Sequence, residues 1–401
     1  MKILVLNLYY PPDTSATAKI AAAFLEPLAS KHEVTLICGR PSYDPTEKRP
    51  WRLWQSERLR GVTVIRVGST DYPRTQMSRR VLNYLTYVAL SIPRALFVRS
   101  DLILAMTDPP FEGIVGAFVA MLKAQPFVYN IRDLYPDMAL GGSIVEPGLL
   151  ARVWETLHRW ALRRATRVIV LGEDMRARII SKGVAPDRVA IVRDGVELPP
   201  ASSSASELDA EVVRTIRSGY RFVLLHAGNL GFYGAWETLL AAARELAEDG
   251  VSLVFVGDGA QRSRLEAAAA GATNVRFLPF FPTHQLASVL SAADAHVVTI
   301  KRGLEGVVVP SKLYGVLAAG RPIVVVAPQQ TDAASLAARD GFGVSADPDN
   351  SAELVAIVRT LLGDPRRLAA MGSAAQLAAA RYARPKEALK FMQVLEDANQ
   401  P

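Results

Sequence analysis

Between Val309 and Leu313 the chain reads Val-Pro-Ser-Lys-Leu, followed by small residues and the β-branched run "RPIVVVAP". Pro310 suits the start of a helix and Ser311 its cap. The first amides of a helix lack intrahelical partners and carry the positive end of its dipole. Lys312 would add a full charge beside them, which makes a phosphate-binding mouth. A merely well-capped helix would carry the same motif, so the neighbouring stretches decide its weight. In "HAGNLGFYGAWETLL" a strand ends at Gly228, and Gly231 and Gly234 flank the turn into a helix. Glycine there lets backbone approach a phosphate closely, while an ordinary strand-to-helix turn stays open as a reading. "VFVGDGAQRSRL" repeats the pattern with Gly257 and Gly259. Phe280, in "RFLPFFP", could hold a flat base. Lys301 and Arg302 are nearby cations, and Glu305 is the one acidic residue from Gly303 to Val326. If these stretches are successive strand ends of one parallel sheet, a nucleotide belongs there.

The elements that would position these residues are legible as apolar runs. "KILVLNL", "HEVTLICG", "VTVIRVG", "DLILAMT", "PFVYNIRD", "RVIVLGE" and "RVAIVRDG" alternate with helical patterns. "RFVLLHAG", "SLVFVGDG", "NVRFLPF", "DAHVVTI" and "RPIVVVAP" do so again further on. Continuous apolar strands between helices predict parallel sheets covered on both faces. The break at "PPASSSAS", Pro199–Ser206, reads as a linker or exposed loop. The expectation is an α/β protein of two doubly wound, Rossmann-like domains facing a central cleft. Residues 1–199 would form the first and 200–379 the second, with a helix at 380–401 crossing back to the first.

The length of 401 residues supports two cores. A single cysteine, Cys38, excludes an intrachain disulfide and suits a reducing compartment. The start "MKILVLNLYYPP" does not read as a signal peptide, and no apolar run reaches a membrane span. Charge is uneven: residues 1–199 hold 27 Lys and Arg against 19 Asp and Glu, and the remainder 19 against 20. The first half therefore favours an anionic partner such as a membrane surface or a diphosphate lipid. Nucleic acid is not expected, because no reader motif accompanies the charge. "RRVLNYLTYVALSIPRALFVRS", Arg79–Ser100, sets an apolar middle between arginines. It reads either as an interfacial helix or as a core helix with charged ends, and Pro93 should kink or end it. His226 and His296 lie in strands, where a lone histidine is usually structural. Asp347 and Asp349 sit in a turn that reads as a surface loop, and no metal is expected.

Across essentially its whole length the sequence resembles the retaining GT-B glycosyltransferases of family 4. The strand "VTI", the Glu-Gly pair, "PSKLY" and "LAAGRPIV" resemble that family's nucleotide-sugar motif, and "NLYYPPDTSATA" its N-terminal loop. "VYNIRDLYPD" resembles a bacterial subgroup that builds surface polysaccharides on lipid carriers and includes transferases of N-acetylfucosamine type. The resemblance implies a nucleotide-sugar donor, most simply a UDP-sugar, held by the second domain. No other cofactor is implied. Lys312 would stabilise the departing diphosphate, and Glu305 would hold sugar or ribose hydroxyls. Gly228, Asn229, Gly231, Gly257, Gly259 and Phe280 would line the donor, as would Lys301, Arg302, Val309, Pro310 and Ser311. On the acceptor side Asp133 would orient a hydroxyl or take its proton; a pair with Arg132 that only fixes the loop is the other reading. Glu112, Asp13 and Thr14 are further acceptor-side candidates. The acceptor implied is a sugar on a polyprenyl diphosphate, handled by a cytoplasmic protein lying on the inner membrane face.

The sequence departs from the family pattern in two places. The second glutamate of the usual pair falls on Gly315, and the first on Val307, two residues from Glu305. Asn229 and Tyr233 stand where the family has a phosphate-binding Arg and Lys. A nucleotide-sugar epimerase on the same fold and a non-catalytic nucleotide-sugar-binding scaffold therefore remain alternatives.

Overall fold

The computed structural model describes residues 1–41, 51–72, 77–142, 144–197 and 208–400. The Pro199–Ser206 linker lies outside them. Two units emerge, Met1–Arg193 with Pro385–Pro401, and Asp194–Arg384.

The first unit runs β1 (Lys2–Leu6), α1 (Ala16–Leu28), β2 (Glu33–Cys38), β3 (Trp54–Leu59), β4 (Val62–Val67) and α2 (Met77–Phe97). It continues with β5 (Leu102–Ala105), α3 (Glu112–Lys123), β6 (Phe127–Asn130), α4 (Asp137–Gly141) and α5 (Leu149–Arg164). β7 (Arg167–Val170), α6 (Glu173–Ser181) and β8 (Val189–Ile191) close its first segment. The eight strands lie in the order β3-β4-β2-β1-β5-β6-β7-β8, and all pairs are parallel except β3 with β4. That antiparallel edge was not read from the sequence. Its signal was Arg60-Gly61, both at positive φ (47° and 88°), the pairing a two-residue hairpin turn favours. α1 starts where expected for a capped helix: Ser15 Oγ accepts from Ala18 N at 3.1 Å. α2 does not stop at Pro93 but runs on to Phe97.

The second unit contains α7 (Ala210–Arg217), β9 (Phe222–Ala227), α8 (Trp236–Glu245), β10 (Val251–Val256), α9 (Arg262–Ala268) and β11 (Val275–Leu278). Then come α10 (Leu286–Ser291), β12 (Ala295–Thr299), α11 (Lys312–Ala318), β13 (Ile323–Val326), α12 (Asp332–Asp340) and β14 (Gly343–Ala346). α13 (Ser351–Gly363) and α14 (Pro365–Arg381) complete it, and α15 (Arg384–Ala398) follows. The sheet order is β11-β10-β9-β12-β13-β14, parallel throughout. β10 is buried at all six positions, which is why it reads as a continuous apolar run instead of an alternating one.

α15 belongs to the first core. Phe391 packs on Phe24 at 5.1 Å between ring centroids, and Met392 and Leu395 join the cluster around β1 and β2. The buried Glu387 accepts from the backbone of Arg193 at 2.9 Å and pairs with Lys390 at 2.6 Å.

Candidate functional site

The order in which strands are added to the second sheet reverses between β9 and β12, which are parallel neighbours. Loops leaving such a pair diverge and open a crevice at the carboxyl ends of the strands. Here the two loops are also tied together. Lys301 N donates to the Tyr233 carbonyl at 2.7 Å, and Ala235 N to Thr299 Oγ1 at 2.9 Å. The centre of this end is Lys312, at the start of α11. Its ammonium donates to Nε2 of His226 at 2.8 Å and lies 5.7 Å from the centroid of the Tyr233 ring. Burial pushes the Lys312 pKa down to about 7. Burial first, and then the Lys312 charge, hold His226 well below its ordinary value. A neutral His226 therefore offers Nε2 as an acceptor. Trp236 stands edge-on to that ring at 4.9 Å and fixes its plane. Lys312 is half-buried, and the partial loss of its hydration leaves a cation whose charge is weakly compensated, so an entering anion gains more than it would in water.

Glycines shape the loops around this arrangement. Gly228 has φ of +135°, and a Cβ there would stand 3.4 Å from Lys312 Nζ. Gly257 and Gly259 serve loop packing: a Cβ on Gly257 would lie 2.1 Å from the Gly228 carbonyl oxygen, and one on Gly259 would lie 2.5 Å from the Leu230 oxygen. Gly231 leaves space for the Tyr233 ring, and Tyr233 hydroxyl donates to the Asn229 carbonyl at 2.6 Å. Phe280 is exposed, with its ring edge 3.2 Å from where a Gly257 Cβ would be. The structure thus gathers Gly228, Asn229, Gly231, Gly257, Gly259, Phe280, Lys301 and Lys312 at one end of the sheet.

Other expectations shift. Ser311 is exposed and makes no side-chain capping bond, so the start of α11 is not capped as the sequence suggested. Arg302 is not an uncommitted cation, because it bonds Asp347 and Asp349, each at 2.7 Å. Those hydrogen bonds raise its pKa further. The Asp-Pro-Asp turn lies at the surface, as its sequence suggested, and there it clamps Arg302. Glu305 accepts from the backbone of Gly303 at 3.1 Å and is half-buried. Val309 is half-buried and Pro310 buried just ahead of α11. His226, read as structural from its strand position, is the partner of Lys312.

In the first unit the order of strand addition reverses between the parallel neighbours β1 and β5. Leu8 N donates to the Asp108 carbonyl at 2.7 Å across that point. Asp133 follows β6 and is half-buried. Its pKa rises to about 6, chiefly through burial and then through Asp108, with Arg132 opposing. Arg132 N donates to Thr107 Oγ1 at 2.8 Å, and that hydroxyl donates to Asn130 O at 3.2 Å, which joins the loops after β5 and β6. Asp13 is buried and accepts from Ser15 N at 3.2 Å, so its carboxylate organises the start of α1; Thr14 is exposed. Glu112 is fully buried, which removes it from direct contact with an acceptor. Its carboxyl lies 3.1 Å from the Tyr87 hydroxyl, which is also 3.1 Å from the Ile37 carbonyl. Burial raises the Glu112 pKa well above the carboxylate range, against the Tyr87 hydrogen bond. A protonated Glu112 can donate from Oε1 to Tyr87 while Tyr87 donates to Ile37, which leaves Glu112 Oε2 buried without a hydrogen-bond partner. Asp108, whose charge raises both Asp133 and Glu112, was not singled out from the sequence. Among the described residues no group of three or more His, Cys, Asp or Glu is placed to hold a metal ion.

Two doubly wound α/β units, each with a switch point at the carboxyl ends of its strands, define the GT-B class of fold. Solved structures agree. Anabaena HepE, crystallised with UDP and glucose, covers 99% of this chain and 99% of its own at a TM-score of 0.70 and 18% identity. Sucrose-phosphate synthase from Thermosynechococcus elongatus covers 99% of each chain at a TM-score of 0.72 and 14% identity. Residues 16–195 match the family described as glycosyl transferase 4-like domain, and residues 221–364 that described as glycosyl transferases group 1. The two matches lie one in each unit and together take in most of the chain, which carries a glycosyltransferase domain in each. WcaI of Escherichia coli (strain K12), a glycosyl transferase named for colanic acid biosynthesis, is 27% identical over 379 residues, 91% of this chain and 93% of WcaI.

Proposed function

We propose that the protein transfers a sugar, with retention, from a UDP-sugar to a polyprenyl-diphosphate-linked saccharide during bacterial surface-polysaccharide synthesis on the inner membrane face. The observation that carries this reading is the Lys312 ammonium, half-buried and seated on His226 at the switch point of the second sheet. The name of WcaI supports the polysaccharide context, and the UDP and glucose bound by HepE support the donor. The bond between the anomeric carbon and the diphosphate oxygen breaks, and a bond from that carbon to the acceptor oxygen forms. Negative charge grows on the leaving oxygen, where Lys312 meets it. The acceptor proton passes to Asp133, whose raised pKa makes it a better base than an ordinary aspartate.

Thermal shift with UDP, GDP, ADP and TDP, then with their sugars, is the first test. UDP should stabilise the protein, and Lys312→Ala should abolish that shift and lower turnover roughly 10²-fold or more. Failure of every diphosphate to bind, confirmed by titration, would leave a protein without a donor site and end the reading. Turnover should persist in EDTA, since Lys312 supplies the charge in this scheme; a strict divalent-metal requirement would overturn that assignment.

A further inference from the structure

α3 packs against both α2 and α5, so these three helices form one contiguous layer of the first unit. Each turns large apolar residues outward. On α2, Leu82, Leu85 and Phe97 follow the helical repeat, and Phe97 is 80% exposed. On α3, Phe118 and Leu122 occupy the same outward stripe. α5 opens with Leu149 and Leu150, 77% and 82% exposed, and Leu157 continues its outer side two turns on. Soluble surfaces rarely leave such a patch uncovered.

Charge indicates what covers it. α2 contains no acidic residue. Glu112 of α3 is buried, and Glu155 of α5 is bonded to Arg159 at 2.6 Å and to Lys182 at 2.9 Å. Exposed arginines bracket the apolar stripe: Arg79 and Arg99 on and after α2, and Arg152, Arg163 and Arg164 on α5. An apolar face ringed by cations, with its acids buried or paired, is complementary to an anionic bilayer surface. No helix among the described residues is long and apolar enough to cross a membrane.

We infer that α2, α3 and α5 together form a monotopic docking face for anionic lipid, with Leu149–Leu150 and Phe97 entering the acyl boundary. This deepens the membrane part of the proposed function, and it moves the contact from the single segment Arg79–Ser100 to a three-helix face whose most exposed leucines lie on α5.

Co-sedimentation of the full chain with phosphatidylcholine vesicles, with and without phosphatidylglycerol, tests it. The protein should sediment with the anionic vesicles, less so at high salt, and poorly with phosphatidylcholine alone. Leu85→Glu combined with Leu150→Glu should weaken partition at least about tenfold while circular dichroism is unchanged, because both side chains already face outward. No sedimentation of the native protein with anionic vesicles, or equal partition of the variant, overturns the inference. So does a native dimer that the variant dissolves without any vesicle binding, since a second copy would then cover the face. The vesicles contain neither donor nor acceptor, so the transferase reading stands or falls separately, on transfer to a water-soluble acceptor lacking a lipid chain.

Discussion

If the proposed donor contact is Lys312, donor binding should depend on pH in a direction that follows from its surroundings. The groups closest to it are His226, which stays neutral, and the Tyr233 ring. Without ligand the lysine loses its proton near pH 7. A bound diphosphate would favour the ammonium and return it toward its ordinary value of about 10.4. Affinity for UDP should therefore be highest below pH 7 and fall as pH rises through that value, by about tenfold per unit between the two pKa values. Calorimetry in buffers of different ionisation enthalpy should show proton uptake on binding at pH 8, and Lys312→Gln should bind weakly with a flat profile. A native profile that is itself flat would mean the diphosphate lies elsewhere. Asp133 gives the opposite limb. As a base it must be ionised, so kcat/KM should decline as pH falls through about 6. Asp133→Asn should spare UDP binding, cut transfer roughly 10²–10⁴-fold and remove that limb. Retained transfer would confine Asp133 to fixing its loop beside Arg132.

Elements explain why part of this site was legible in the sequence and part was not. Buried parallel strands leave unbroken apolar runs, and the glycines at their ends are visible as punctuation. Which strands become neighbours is not written locally. His226 and Lys312 are 86 residues apart and meet because β9 pairs with β12 and α11 follows β12. The same adjacency recasts the glycines. Gly257 looked like a place for a phosphate to approach, yet its φ of +142° and its closeness to the Gly228 carbonyl oxygen serve contact between two loops. Gly257→Ala should thus destabilise the second unit, by about 1–3 kcal/mol from the backbone conformation alone and more from the clash. Urea unfolding would measure it, and an unchanged midpoint would show that the two loops can separate freely. The outward leucines of α5 escaped notice for a related reason: helical periodicity marks two faces but does not say which one the sheet will cover.

At the scale of the whole molecule, the chain finishes the first unit with its last helix. The sequence pattern begins a last helix at 380, and α14 gives way to α15 between Arg381 and Arg384. Phe391, Met392 and Leu395 belong to the core that holds β1, β2 and α1, and Glu387 bonds the backbone just after β8. Each large apolar side chain buried there contributes about 1.5–3 kcal/mol as an upper estimate. Their joint loss is comparable to the 5–15 kcal/mol that holds a typical domain together. Deletion of 385–401 should therefore unfold the first unit or lower its melting point sharply. The second unit, Asp194–Arg384, keeps its own six-stranded sheet and the Lys312 site in that variant. Since a ligand stabilises only what it binds, UDP should still raise the melting point of the surviving transition by calorimetry, while transfer is lost. Loss of the UDP response together with α15 would show that donor binding needs the first unit as well, and would remove the donor site from the second sheet alone.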